Sequence, residues 1–278
     1  METDPANEPS DFSASQVSES VSYGAGVCGP EAWDVYGNDI FMVSPDRQIR
    51  TLRRMAAAAS QYELSAPISE PMQPWIDRIN AAAQSTIAVK KYQELILFAV
   101  PLDSATTPDT VLVYNGRLGK WIGVWEGWTP QRWEITRFSG QQRLVFGDVA
   151  GYVNEWKDNE DSDTDDTYTD NGAPILRLRA AQTAEDKQER LFFSSLQIDM
   201  ETGVGTATGQ GLNPQLVLRW SNDGGHTWSN EKMVSIGKTG EYSARAKFNR
   251  LGQGRNRVWE ISMTDPVKFA VFGAVAEV

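Results

Sequence analysis

Few side chains in this sequence could carry chemistry. There is one histidine, His226, and one cysteine, Cys28. One of each excludes a Cys/His zinc site and all but excludes a serine or cysteine triad built on histidine. Neither a phosphate-binding loop nor a dinucleotide-binding fingerprint is present. The acidic run from Asp158 to Asp166 offers oxygen ligands to a hard cation, but it lacks the glycine and glutamate of an EF-hand loop and reads as a solvated loop. The sharpest local pattern is Ser221-Asn222-Asp223-Gly224-Gly225-His226-Thr227-Trp228, a Ser-x-Asp-x-Gly-x-Thr-Trp spacing. In a hairpin turn Asp223 can accept backbone N–H bonds. Gly225 can take a backbone angle that other residues resist, Trp228 can pack the turn onto its sheet, and His226 should be exposed. The basic residues Arg245, Lys247, Arg250, Arg255 and Arg257 alternate with apolar ones, as on an exposed strand face, and read as subunit contacts rather than a nucleic-acid site. No residue is assigned a catalytic role, and no metal or cofactor is expected.

The pattern formed by Ser221, Asp223, Gly225, Thr227 and Trp228 resembles the Asp-box of sialidases and other β-propellers. In those families the box is structural and lies away from catalysis. Sialidase chemistry needs an arginine triad, an activated tyrosine and acidic residues, and no spacing here groups them. A carbohydrate-binding or sialidase-like propeller, as in a tail fibre or receptor-binding protein, is therefore the alternative reading.

Such a turn must be held by sheets, and the composition favours them. Ten tryptophans and 23 glycines suit pleated surfaces joined by tight reversals. Strand, turn and strand are expected over Ala32–Tyr36, Gly37–Asp39 and Ile40–Val43, with a further strand at Gln48–Leu52. Strands resume at Ile87–Val89, Glu94–Val100, Thr110–Tyr114 and Lys120–Trp125, with Asn115-Gly116 as a hairpin signal. Trp133–Phe138, Arg143–Asp148 and Gly151–Trp156 form the next group. Meanders of this length are what propeller blades produce, and a sandwich of meanders is the alternative. The fold class is thus mostly β: propeller-like blades over 22–172, a helical insertion near 55–84, and a C-terminal β region over 173–278 containing the Asp-box hairpin. Within the insertion, Met55–Ser60 and Pro74–Ala83 have helical patterns, the second placing Trp75, Ile76, Ile79 and Ala83 on one face. Residues 1–21 read as a flexible polar arm.

The formal net charge of -11 argues against a groove that grips DNA by its phosphates. A lone cysteine leaves the fold independent of oxidation, as suits a reducing cytoplasm. No run of about 18 apolar residues suggests a membrane span, and the first twenty residues lack the pattern of a secretory signal.

Four stretches together resemble one family. They are Gly37–Asp46, Ser69–Asn80, Thr110–Asn115 with Trp121–Trp125, and Leu251–Val267. They are similar to the tail nozzle or hub proteins of short-tailed bacteriophages, the packaged-DNA stabilisation family. The resemblance implies a virion protein made in the host cytoplasm, a β-propeller-like subunit in a homo-oligomeric, sixfold ring. It would sit below portal and adaptor proteins and carry tail fibre or needle proteins, with DNA passing through its channel unread. Family members are longer upstream, so the propeller is either incomplete here or completed by other chains.

Overall fold

A computed structural model describes residues 26–54, 62–138, 140–156, 168–181 and 189–278. The arm over 1–21, the helical stretch Met55–Ser60 and the acidic run Asp158–Asp166 lie outside them. The fold is mostly β, and the chain falls into two compact units divided between Asp161 and Ser162.

The first unit contains three antiparallel meanders. Sheet one is β1 (Trp33–Tyr36), β2 (Asp39–Val43), β3 (Ile49–Arg54) and β4 (Tyr62–Leu64), in chain order. Sheet two is β5 (Ala88–Tyr92), β6 (Leu95–Val100), β7 (Thr110–Asn115) and β8 (Lys120–Glu126). Sheet three is β9 (Arg132–Phe138), β10 (Gln141–Gly147) and β11 (Val153–Trp156). Sheet two is the middle layer. Its Ile96, Phe98, Val100 and Leu112 pack with Phe41, Val43 and Ile49 of sheet one. On its other face Leu97, Ala99, Val111 and Val113 pack with Trp133, Leu144 and Phe146 of sheet three. A strand covered on both faces loses hydrophobic alternation, which is why β6 reads as an unbroken apolar run.

The turns depend on local chemistry. Between β9 and β10, Gly140 takes φ +86 in a two-residue reversal. The Asn115-Gly116 signal also marks a hairpin, but the left-handed residue is Gly119, at φ +65. Asn115 Oδ1 accepts the Leu118 N–H at 2.8 Å, making a longer turn. Gly116 is needed for a different reason: a Cβ there would stand 2.7 Å from the Tyr36 ring and 2.8 Å from Ile96.

The continuous helix expected over Pro74–Ala83 does not form. A single α-helical turn spans Gln73–Ile76, flanked by 3-10 turns at Glu70–Met72 and Ala81–Thr86. Between them Ile79 bridges Leu102, the Asn80 N–H bonds Pro101 O at 2.9 Å, and the Asn80 side chain caps Ala82. Pairing with a neighbouring segment outcompetes helix propagation, yet Ile76, Ile79 and Ala83 are still buried.

The second unit opens with a small hairpin, β12 (Thr169–Asp170) and β13 (Ala173–Pro174). Its body is two facing sheets. One has the order β14 (Arg177–Ala180), β19 (Val258–Met263), β16 (Gln215–Ser221), β17 (Lys232–Ser235). The other is β18 (Ala246–Gly254), β15 (Leu191–Met200), β20 (Val271–Glu277). Phe193, Leu196, Ile198, Phe248 and Leu251 of the second sheet meet Leu216, Leu218, Trp259, Ile261 and Met263 of the first. This is the arrangement of a β-sandwich. A register shift on β15 between Phe193 and Ser195 moves the inward phase, so Phe193 is followed inside by Leu196, Ile198 and Met200. Opposite it, Arg250 sits at φ 58.

Candidate functional site

The Ser221–Trp228 pattern forms the turn between β16 and β17. Ser221 Oγ donates to Asp223 Oδ1 at 2.6 Å and accepts the Gly225 N–H at 2.8 Å. Thr227 donates its N–H to Asp223 Oδ1 at 2.8 Å and its hydroxyl to Oδ2 at 2.5 Å. Gly224 and Gly225 take φ of +75 and +101, where a Cβ would be strained. Below the turn, Trp220 N–H bonds Ser229 Oγ and Ser229 N–H returns to Trp220 O. The Ser221 hydroxyl, followed by the donors of Thr227, holds the Asp223 carboxyl well below the usual carboxylate range. With both oxygens engaged and its proton weakly held, Asp223 is suited to bracing the turn and not to acid catalysis. Trp228 is half-buried under the Arg219 guanidinium, 4.7 Å from the ring centre, and Arg219 is ion-paired with the buried Glu260. His226 is exposed.

The basic residues do not share one strand face. Arg245 precedes β18, Arg250 occupies the register shift, Arg255 lies in the β18–β19 turn, and all three are exposed. Lys247 is half-buried and faces Glu277 at 3.3 Å. Arg257, expected as a subunit contact, is a correction: it is 1% exposed and unable to reach a neighbour. Its Nε donates to Asn222 Oδ1 at 2.9 Å, Nη1 to Leu251 O at 2.7 Å and Nη2 to Gln253 O at 2.8 Å. Its guanidinium carbon stands 4.7 Å from the Phe193 ring, 5.3 Å from Trp220 and 5.1 Å from Trp259. A planar fork that fills three acceptors while stacking on aromatic faces satisfies a buried cation without a carboxylate. Burial lowers its proton affinity from the ordinary arginine value.

Asn222 is the hinge of this arrangement. It lies inside the Asp-box turn, and its side chain is held by Arg257 from the neighbouring hairpin. The approach is close enough that a Cβ on Gly254 would stand 2.4 Å from Asn222 Oδ1. Sequence reasoning missed Asn222, Gly254 and the ring set of Phe193, Trp220 and Trp259. The available signal was the sequence Gly254-Arg255-Asn256-Arg257 followed by Trp259, but it does not say which arginine turns inward.

Among the described residues no group of three or more His, Cys, Asp or Glu side chains is placed to hold a metal ion. Burial pushes the Cys28 thiol up to about 11, which leaves it protonated and unreactive near neutral pH. The geometry is that of a rigid anchoring element: a braced turn locked to a second hairpin through a buried cation.

No curated protein matches the chain by sequence. Among solved structures, the computationally designed Ika4 protein is 12% identical, over 50% of this chain and 97% of that one, with a TM-score of 0.24. A glycoside hydrolase family 43 arabinoxylan arabinofuranohydrolase from Bacillus subtilis is 10% identical, over 82% of this chain and 59% of that one, at 0.24. An exo-beta-1,3-galactanase from Phanerochaete chrysosporium is 9% identical, over 86% and 65%, at 0.26. Scores this low carry no argument about fold or activity. Residues 177–278, from β14 through the clamp to the last strand, match the family model described as Bacteriophage P22 Gp10, beta-sandwich.

Proposed function

We propose that this chain is a structural protein of a bacteriophage tail, an oligomeric nozzle or hub that retains packaged DNA and conducts it at ejection. The observation that carries the reading is the match of residues 177–278 to the beta-sandwich of a phage protein. The clamp supports it, because Asp223 and Arg257 are both spent on bracing backbone. In this reading the subunits form a sixfold ring between portal-side adaptor proteins and the tail fibres or needle. An acidic chain, at -11, suits a conduit that DNA must leave without sticking.

The test has two parts. Mass photometry of the purified chain should give a closed multiple of the protomer mass, and image reconstruction of intact particles should find the chain in the tail. A monomer that binds or cleaves glycans, with no copy in the particle, overturns the proposal in favour of a carbohydrate-directed propeller.

A further inference from the structure

The sandwich is closed on one side and open on the other. On the closed side run the edge strands β17 and β18. There Lys232 Nζ donates to Asn249 O at 2.8 Å and Arg250 O at 3.0 Å, and Arg257 takes Leu251 O and Gln253 O. These carbonyls of β18 are spent on side-chain cations, one of the ways a sheet edge is blunted. The open side has the other two edge strands, β14 and β20. Arg177 of β14 ties them at one end, bonding Asp265 O and Val267 O in the segment that leads to β20. Beyond that tie every residue of β20 is exposed, Phe272 at 71% and Val275 at 67%. Among the described residues, a side chain reaches the β20 backbone only at its end, where Ser194 Oγ donates to Glu277 O at 3.1 Å.

The register shows what faces the gap. Ala276, Ala274 and Val271 pair with Leu196, Ile198 and Met200, so they share the core side of their sheet. Arg179 pairs with Ile261 and shares the core side of the other sheet, yet it is exposed. We propose that this open side takes up an extended strand from another protein. The strand pairs with β20, seats apolar side chains over Ala274 and Ala276, and brings a carboxylate to Arg179. A bare edge selects an extended partner, because its free N–H and C=O groups pair in register with a second strand. Alanines at inward positions leave room for incoming side chains at alternate places. Arg179 has no ion-pair partner among the described residues, so it favours an acidic strand over a basic one. A second copy of β20 fits less well. It would set alanine against alanine and leave Arg179 unanswered, since the carboxylate of Glu277 already accepts from Ser195 at 2.5 Å and Lys247 at 3.3 Å.

The probe is a set of end-blocked peptides of alternating valine and threonine, with glutamate replacing each valine in turn. Fluorescence anisotropy with the full chain should show saturable binding of at least one peptide, and hydrogen exchange should slow at the amides of Val271–Glu277. Changing the peptide's glutamate to lysine should weaken binding by about tenfold. R179E should reverse that preference, which also shows that the variant is folded. A274L/A276L fills the gap and should abolish binding with the far-UV circular dichroism unchanged. No saturable binding by any peptide of the set, or binding that ignores both R179E and A274L/A276L, overturns the proposal. So does a full chain that self-associates until A274L/A276L is introduced, because a second copy is then the occupant.

Discussion

At the residue scale, Asp223 and Arg257 are ionised groups held by opposite means. Asp223 lies at the surface with its carboxylate oxygens filled by hydroxyl and amide donors. Its folded proton affinity lies below the ordinary carboxylate value. A group depressed in this way contributes stability above its unfolded value, and the contribution drains as pH falls through the folded one. Below about pH 4 the melting temperature of the parent should therefore fall more steeply than that of D223N, which has no proton to gain. Parallel curves would show that the turn is not coupled to that titration. Arg257 is buried and satisfied by shape. Lysine keeps the charge but cannot fork to Asn222, Leu251 and Gln253, so R257K should cost on the order of 3 kcal/mol in urea unfolding.

At the element scale, the link between the two hairpins is a contact without slack. G254A introduces a Cβ 2.4 Å from Asn222 Oδ1 and 3.2 Å from Arg257 Nε, an overpacking that should cost about 1–3 kcal/mol. Because the tightest approach is to the Asn222 side chain, with Arg257 further off, N222A should recover part of the loss. Stability of the four members of the cycle should then be non-additive; strict additivity would mean the two hairpins are not coupled there. The same elements show what the sequence made legible. Strands such as β2, β7 and β10 and the Asp-box turn were readable because apolar period and turn residues are local signals. The burial of Arg257 was not, since Arg255 and Arg257 share a pattern and differ only in the rings that the fold brings up from β15, β16 and β19. The Pro74–Ala83 segment had a helical apolar face, and that face is buried. What the pattern could not show was Pro101 and Leu102 arriving to pair with Ile79 and Asn80.

At the scale of the molecule, apolar burial is organised separately in each unit. Sheets one to three share two cores drawn from residues between Cys28 and Trp156. The sandwich has its own, drawn from residues between Leu191 and Phe269. Its strands pair with one another, and Arg257 finds all its acceptors within it. A body with a complete core and paired strands should fold by itself. A fragment of residues 168–278 should therefore unfold cooperatively in urea. R257K should destabilise that fragment by the same free energy as it does in the whole chain, since no atom of the clamp lies outside it. A fragment without a cooperative transition would mean that the core from Phe193 to Met263 is insufficient alone. A cooperative fragment indifferent to R257K would instead remove the clamp, and only the clamp, from what stabilises the sandwich.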